Sequence, residues 1–156
     1  MRVTMLETPH VAVGAAIAAK IPNPYIAIPL ALVSHLIMDQ VPHWNPHSYT
    51  EIKTKGQISN NTKYLAIVDV AISLGLGFYI ASRFLPDYKH AVVILAASFA
   101  AVLPDVIKSP YFLLGKRTGL VKKWVDFERS LQVETGFVPG MLIQIGVVII
   151  SLLWVM

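Results

Sequence analysis

Long apolar runs, broken by short polar stretches, set the architecture of this chain. From His10 to Lys20 nearly every residue is Ala, Val, Ile or Gly, and Ile21-Pro22-Asn23-Pro24 then closes the run with a turn. Just before it, Thr8-Pro9 has the form of a helix start, with Thr8 as cap and Pro9 in the first position. A second apolar run leads from Tyr25 to about Gln40, and Pro42 disfavours helix at Val41. The first run covers only about 18 Å as helix, short of a hydrocarbon core roughly 30 Å thick. The two runs therefore predict a short helical hairpin, re-entrant or packed inside longer helices. Residues 41–62 are polar and read as a loop, with Trp44 and Tyr49 suited to a membrane interface. Spans follow over 63–85, 89–108 and 137–156. Between the last two, Leu120, Val121, Trp124, Val125, Phe127 and Leu131 alternate with Lys122, Lys123, Asp126 and Arg129. That pattern predicts an amphipathic helix on the membrane surface, its basic groups toward anionic headgroups. The expected fold is all-α: a polytopic membrane helical bundle in one integral membrane domain, residues 1–156. Its helices are expected at about 9–21, 25–40, 63–85, 89–108, 119–132 (interfacial) and 137–156.

Composition agrees with the pattern. The chain is 55% hydrophobic and 14% charged, with a mean hydropathy of +0.61, whereas soluble domains carry roughly 25% charged residues. No cysteine is present, which excludes disulfides, thiolate metal sites and cysteine nucleophiles. A secretory signal peptide is not expected, because Thr8-Pro9-His10 interrupts the first run and Lys20-Ile21-Pro22 is a poor cleavage context. No nucleic-acid motif occurs, and the absence of G-x-S-x-G leaves no serine hydrolase signature. Alternating the helices puts Arg2, Lys53, Lys55, Lys63, Lys108, Lys116, Arg117, Lys122, Lys123 and Arg129 on one side, ten of the thirteen basic residues. The positive-inside rule makes that side cytoplasmic and leaves the C-terminus outside, as expected of a multi-pass membrane protein. Four of the five histidines and eight of the nine acids fall on the same side.

Some of these polar residues lie inside apolar helices, where they are costly and mark function or a buried pair. His35 and Asp39 are four apart and share a helix face, a half-site for a divalent metal such as zinc or a plain hydrogen-bonded pair at a helix end. Counted from the turn, His10 lies about a dozen residues back and His35 about a dozen forward, so the hairpin brings them level with Asp39 one turn further out. The second pair of long helices repeats the device: Asp69 lies 17 residues before Pro86 and Asp105 lies 19 after it. Either carboxylate could instead serve structure, Asp69 by pairing with Lys63 or Lys108 and Asp105 by ending a helix. Glu128 and Gln132 form another i,i+4 pair, of the kind that most often belongs to a solvated face.

Thr8-Pro9-His10 before a Gly/Ala helix, Ser34-His35-x-x-x-Asp39-x-x-Pro42-His43 and Leu103-Pro104-Asp105 resemble motifs of the bacterial inner-membrane metal-dependent hydrolases. That family is distantly similar to zinc-dependent phospholipase C and the single-strand-specific zinc nucleases, helical proteins with clustered zinc ions. The resemblance implies that His10, His35, Asp39 and Asp105 bind metal. The family's His-Arg-x-x-Thr-His-Ser element is missing here, and its place would fall to Phe127-Glu128-Arg129-Ser130. His43 and Asp69 are expected as further ligands or a base. The function expected is metal-dependent hydrolysis of a phospholipid or related phosphoester at the cytoplasmic face, with membrane lipids as partners. The alternative is a non-enzymatic membrane protein, either a metal or proton carrier or a scaffold whose His/Asp cluster only supports packing. A carrier needs a polar path to the far side, where the chain offers little beyond Asn23, Asp87 and His90.

Overall fold

The computed structural model describes residues 5–156, so Arg2 lies outside the described residues. Seven helices follow in order: α1 (Glu7–Lys20), α2 (Pro24–Met38), α3 (Ser48–Lys55), α4 (Asn60–Ser82), α5 (Tyr88–Leu113), α6 (Gly119–Leu131) and α7 (Phe137–Val155). No strand occurs among the described residues; an isolated bridge joins His43 and Glu134. Three helices, α4, α5 and α7, are long and apolar enough to cross a membrane.

The short helix α1 is the packing centre, with α2, α4, α5 and α7 all against it. Its small side chains allow this. In the main core cluster ten of the twelve buried residues are alanine, and only Ile80 and Ile94 are larger, so the backbones come close together. The tightest approach is at Gly14, where a Cβ would meet the Ala101 Cβ at 2.6 Å and the Ala97 carbonyl oxygen at 2.9 Å. By contrast, Ile67, Leu74 and Phe78 of α4 and Leu142, Ile150 and Leu153 of α7 stay exposed, as suits surfaces facing hydrocarbon.

The structure departs from the sequence reading at three places. The stretch 41–62 is not all loop, since Ser48–Lys55 forms α3. Only Ile52 of that helix is buried; it joins Ile58, Tyr111 and Val125 in a small second core, so docking and not periodicity makes the helix. Helix α5 runs on to Leu113, past Lys108, although Pro104 and Pro110 lie within it. A proline lacks the N–H for one intrahelical bond, and at Pro110 the freed Val106 carbonyl accepts the Ser109 hydroxyl at 2.8 Å.

The third departure is the start of α1. The helix begins at Glu7 with Leu6 as cap residue, and Leu6 has no side-chain cap to offer. The orphan donors of the first turn are met from other helices. Asp69 of α4 accepts the Glu7 N–H at 2.6 Å, the Thr8 N–H at 3.2 Å and the Thr8 hydroxyl at 2.6 Å. Gln144 of α7 accepts the Leu6 N–H at 3.1 Å, and Pro9 has no N–H to satisfy. Thr8 is thus a capped residue and not the cap.

Candidate metal centre

The turn after this capped start carries His10. Its ring stacks on that of His35 from α2, with centroids 4.0 Å apart and planes 21° from parallel. The level expected from hairpin counting is the level observed. One turn along α1 from His10, Gly14 lets α5 approach, and α5 then offers its Ala101 carbonyl to His35. The His35 Nδ1–H donates to that oxygen at 2.6 Å. This bond fixes the tautomer and leaves Nε2 as the acceptor that points into the cluster.

Three carboxylates surround that Nε2. Asp39, at the C-terminal end of α2, places one oxygen 3.5 Å away; Asp105 of α5 and Glu128 of α6 each stand at 3.8 Å. His10 Nε2 lies 3.6 Å from the other Asp39 oxygen. These separations are too long for hydrogen bonds. Accordingly His10 Nδ1 and Nε2, His35 Nε2 and Asp39 Oδ1 are buried with no hydrogen-bond partner. They do match the spacing of donors around a shared ion. Two bonds of about 2.1 Å at a tetrahedral angle separate their donor atoms by roughly 3.4 Å. One ligand atom each from His10, His35 and Asp105 lie within 4.8 Å of one another, all buried.

The charges ask for a cation as well. Lys108, one turn after Asp105, forms ion pairs with Asp105 and with Glu128, the latter at 2.8 Å. With all three carboxylates ionised, this one ammonium leaves two negative charges in a buried space, where uncompensated charge is expensive. One divalent cation would neutralise them. Burial pushes the Glu128 carboxyl up from its ordinary value, while the Lys108 ammonium pulls it back in part.

Two further contacts hold the frame. Gln132, just past α6, donates from Nε2 to Asp39 Oδ2 at 3.3 Å. The Trp124 indole N–H donates to the Pro104 carbonyl at 3.2 Å and pins α6 to α5. The segment after α6 is stitched to the segment after α2: Val133 N–H to Asp39 O at 3.1 Å, His43 N–H to Val133 O at 3.1 Å and Thr135 N–H to His43 O at 2.9 Å.

Of the residues singled out from sequence, His10, His35, Asp39 and Asp105 come together. Asp69 does not join them: its carboxylate is turned to the α1 backbone and acts as that helix's cap, so it reaches the cluster only through the position it gives His10. His43 lies in the stitched segment, buried, with its Nδ1–H donating to the Val41 carbonyl at 2.8 Å. Glu128 and Lys108 are the residues sequence reasoning left out of the site. The Glu128–Gln132 spacing was the available signal, since both members turn inward onto His35 and Asp39. Compared with protein-family models, with curated proteins and with solved structures, the chain matches none.

Proposed function

We propose that this chain is a membrane-embedded, metal-dependent hydrolase that acts on a phospholipid or related phosphoester. The observation that carries the reading is the set of buried, hydrogen-bond-orphaned donors on His10, His35 and Asp39, spaced for a shared cation and facing Asp105 and Glu128. Imidazole and carboxylate donors without thiolates suit zinc first among the divalent metals. Bound there, the metal would lower the pKa of a coordinated water and polarise a phosphoryl oxygen. The protein's own part is to orient His35 through Ala101, to hold Asp39 with Gln132, and to keep Lys108 beside Asp105 and Glu128 as a fixed positive charge for an anionic headgroup. In this reading the site faces the cytoplasm from the inner membrane, since basic residues concentrate at its end of the molecule.

Metal analysis of protein purified without a polyhistidine tag tests the centre. Bound zinc that is lost in His35→Ala supports it; no metal in either protein refutes it. Incubation with mixed phospholipids and a range of metals then tests hydrolysis, and lipids left unchanged would sink the enzyme reading. A reporter fused at the C-terminus should prove external, and a cytoplasmic one would reverse the topology.

Lys108 supports a second reading, a scaffold in which this lysine is itself the cation that the carboxylates hold. A carrier has less support, because the polar groups of the opposite end are used locally. Asn23 caps α2 by accepting the Tyr25 N–H, Asp87 caps α5 by accepting the His90 N–H, and His90 Nε2–H donates to the Ala18 carbonyl.

A further inference from the structure

A crevice of about 450 Å³ opens between α4 and α5 and reaches the metal centre at one end. Its walls carry Val70, Leu74 and Phe78 from α4 and Leu95, Phe99 and Val102 from α5. The wall serines present no free polarity, because each hydroxyl is turned onto its own helix. Ser73 donates to the Val70 carbonyl at 2.9 Å, Ser98 to Ile94 at 2.8 Å and Ser109 to Val106 at 2.8 Å. Polarity appears only at the end lined by Glu7 and Asp105. There Glu7 Oε2 is buried without a hydrogen-bond partner, and Asp105 belongs to the cluster around His35. From Leu95 to Asp105 the helix rises about 15 Å, the depth of one leaflet's share of a hydrocarbon core about 30 Å thick.

A second apolar crevice, about 370 Å³ between α4 and α7, gives the contrast. It includes Asp69 and Gln144, and both are saturated by the start of α1 and, for Gln144, also by the Trp44 carbonyl at 2.9 Å. That crevice ends on closed polar groups. The α4/α5 crevice ends on an open carboxylate oxygen and a metal-ligand candidate.

We propose that the α4/α5 crevice is the slot for one hydrocarbon chain of an amphiphilic substrate whose polar head lies between Glu7 and Asp105. Naming the occupant a substrate rests on the hydrolase reading; its chemistry as a lipid chain does not. The volume lies within the range of ordinary ligand pockets, and inside a bilayer an apolar slot of this depth is matched by an acyl chain. Glu7 Oε2 then gains a hydrogen bond from a headgroup hydroxyl or ammonium. Selectivity follows: amphiphiles with a chain bind, and chainless phosphoesters do not use the slot.

The test uses the full chain in vesicles of phosphatidylethanolamine and phosphatidylglycerol, doped with a phosphatidylglycerol that carries a diazirine on one acyl chain. Labelled peptides are mapped by mass spectrometry, with the α4/α7 crevice as internal reference. Labelling should concentrate on the α4/α5 walls and be lost there in Gly77→Phe, while the reference label and the metal content persist. Gly77 has room for such a change to begin, since its Cβ would stand 3.5 Å from Val11 and 3.6 Å from Ser98. Ser73→Leu is the second variant should Gly77→Phe fail to fold. Equal labelling of both crevices, unaffected by either variant, overturns the proposal. Concentrated labelling without any lipid hydrolysis upholds the slot and refutes the hydrolase. Hydrolysis of a chainless phosphoester and of phospholipid, both at wild-type rates in Gly77→Phe, upholds the hydrolase and refutes the slot.

Discussion

Two buried polar groupings lie along the start of α1, and they are built to opposite rules. Around Asp69 and Gln144 every acceptor has a donor: the N–H groups of Leu6, Glu7 and Thr8 and the Thr8 hydroxyl account for the oxygens. Around His35 the imidazole Nε2 and the three carboxylates, all of them acceptors, face one another at 3.5 to 3.8 Å with no hydrogen between them. Both contain carboxylates inside an apolar bundle, so composition alone does not tell them apart. Satisfaction does. A saturated carboxylate stabilises a fold and has no further capacity, whereas a converging set of unsatisfied donors retains capacity for a ligand.

The comparison can be broken by measurement, and the largest effect is expected at the saturated grouping. Asp69→Ala leaves two part-buried backbone N–H groups without acceptors at about 1–3 kcal/mol each, so unfolding in detergent should shift by about 3 kcal/mol. The residual folded protein should still take up zinc. Unchanged stability would mean that Asp69 is not the cap of α1.

At the unsatisfied grouping the expected signature is metal-dependent. Zinc at about one hundred times its dissociation constant should stabilise the wild type by about 2.7 kcal/mol, and His35→Ala should abolish that shift. A zinc shift that survives His35→Ala would remove His35 from the ligand set.

Gly14→Ala comes next and probes the frame that both groupings share. Its Cβ would lie 2.6 Å from that of Ala101, and such overpacking typically costs about 1–3 kcal/mol. Because Ala101 also holds His35, zinc affinity should fall together with stability. Loss of stability alone would separate packing from the site.

The smallest effect is expected far from either grouping. Glu51 of α3 accepts the Ser59 N–H at 2.9 Å, and that bond holds its carboxyl below the ordinary value of 4.5. A depressed carboxyl stabilises the folded state above its unfolded value and ceases to do so as pH falls through the folded one. Wild-type stability should therefore decline slightly more than that of Glu51→Gln as pH drops below 4.5, by about 0.5 kcal/mol for one part-buried bond. Parallel pH profiles for the two proteins would contradict the assignment.

The sequence by itself determined heights along helices. A helix rises a constant 1.5 Å per residue, so counting outward from Ile21-Pro22-Asn23-Pro24 was enough to bring His10 level with His35, and their rings do stack. It also determined which segments are apolar enough to cross a membrane, because that is a sum over composition and length. Rotation about each helix axis is a different quantity. Helix α4 is apolar almost all round, so nothing in its sequence says whether Asp69 turns toward Asp105 or toward the start of α1; packing chose α1. The amphipathic pattern of α6 does not say that Glu128 docks inward on Lys108, nor does the polar stretch before α4 say that Ile52 finds Tyr111 and Val125 and makes a helix of its neighbours. Those choices depend on partners distant in sequence, and only the tertiary structure decided them.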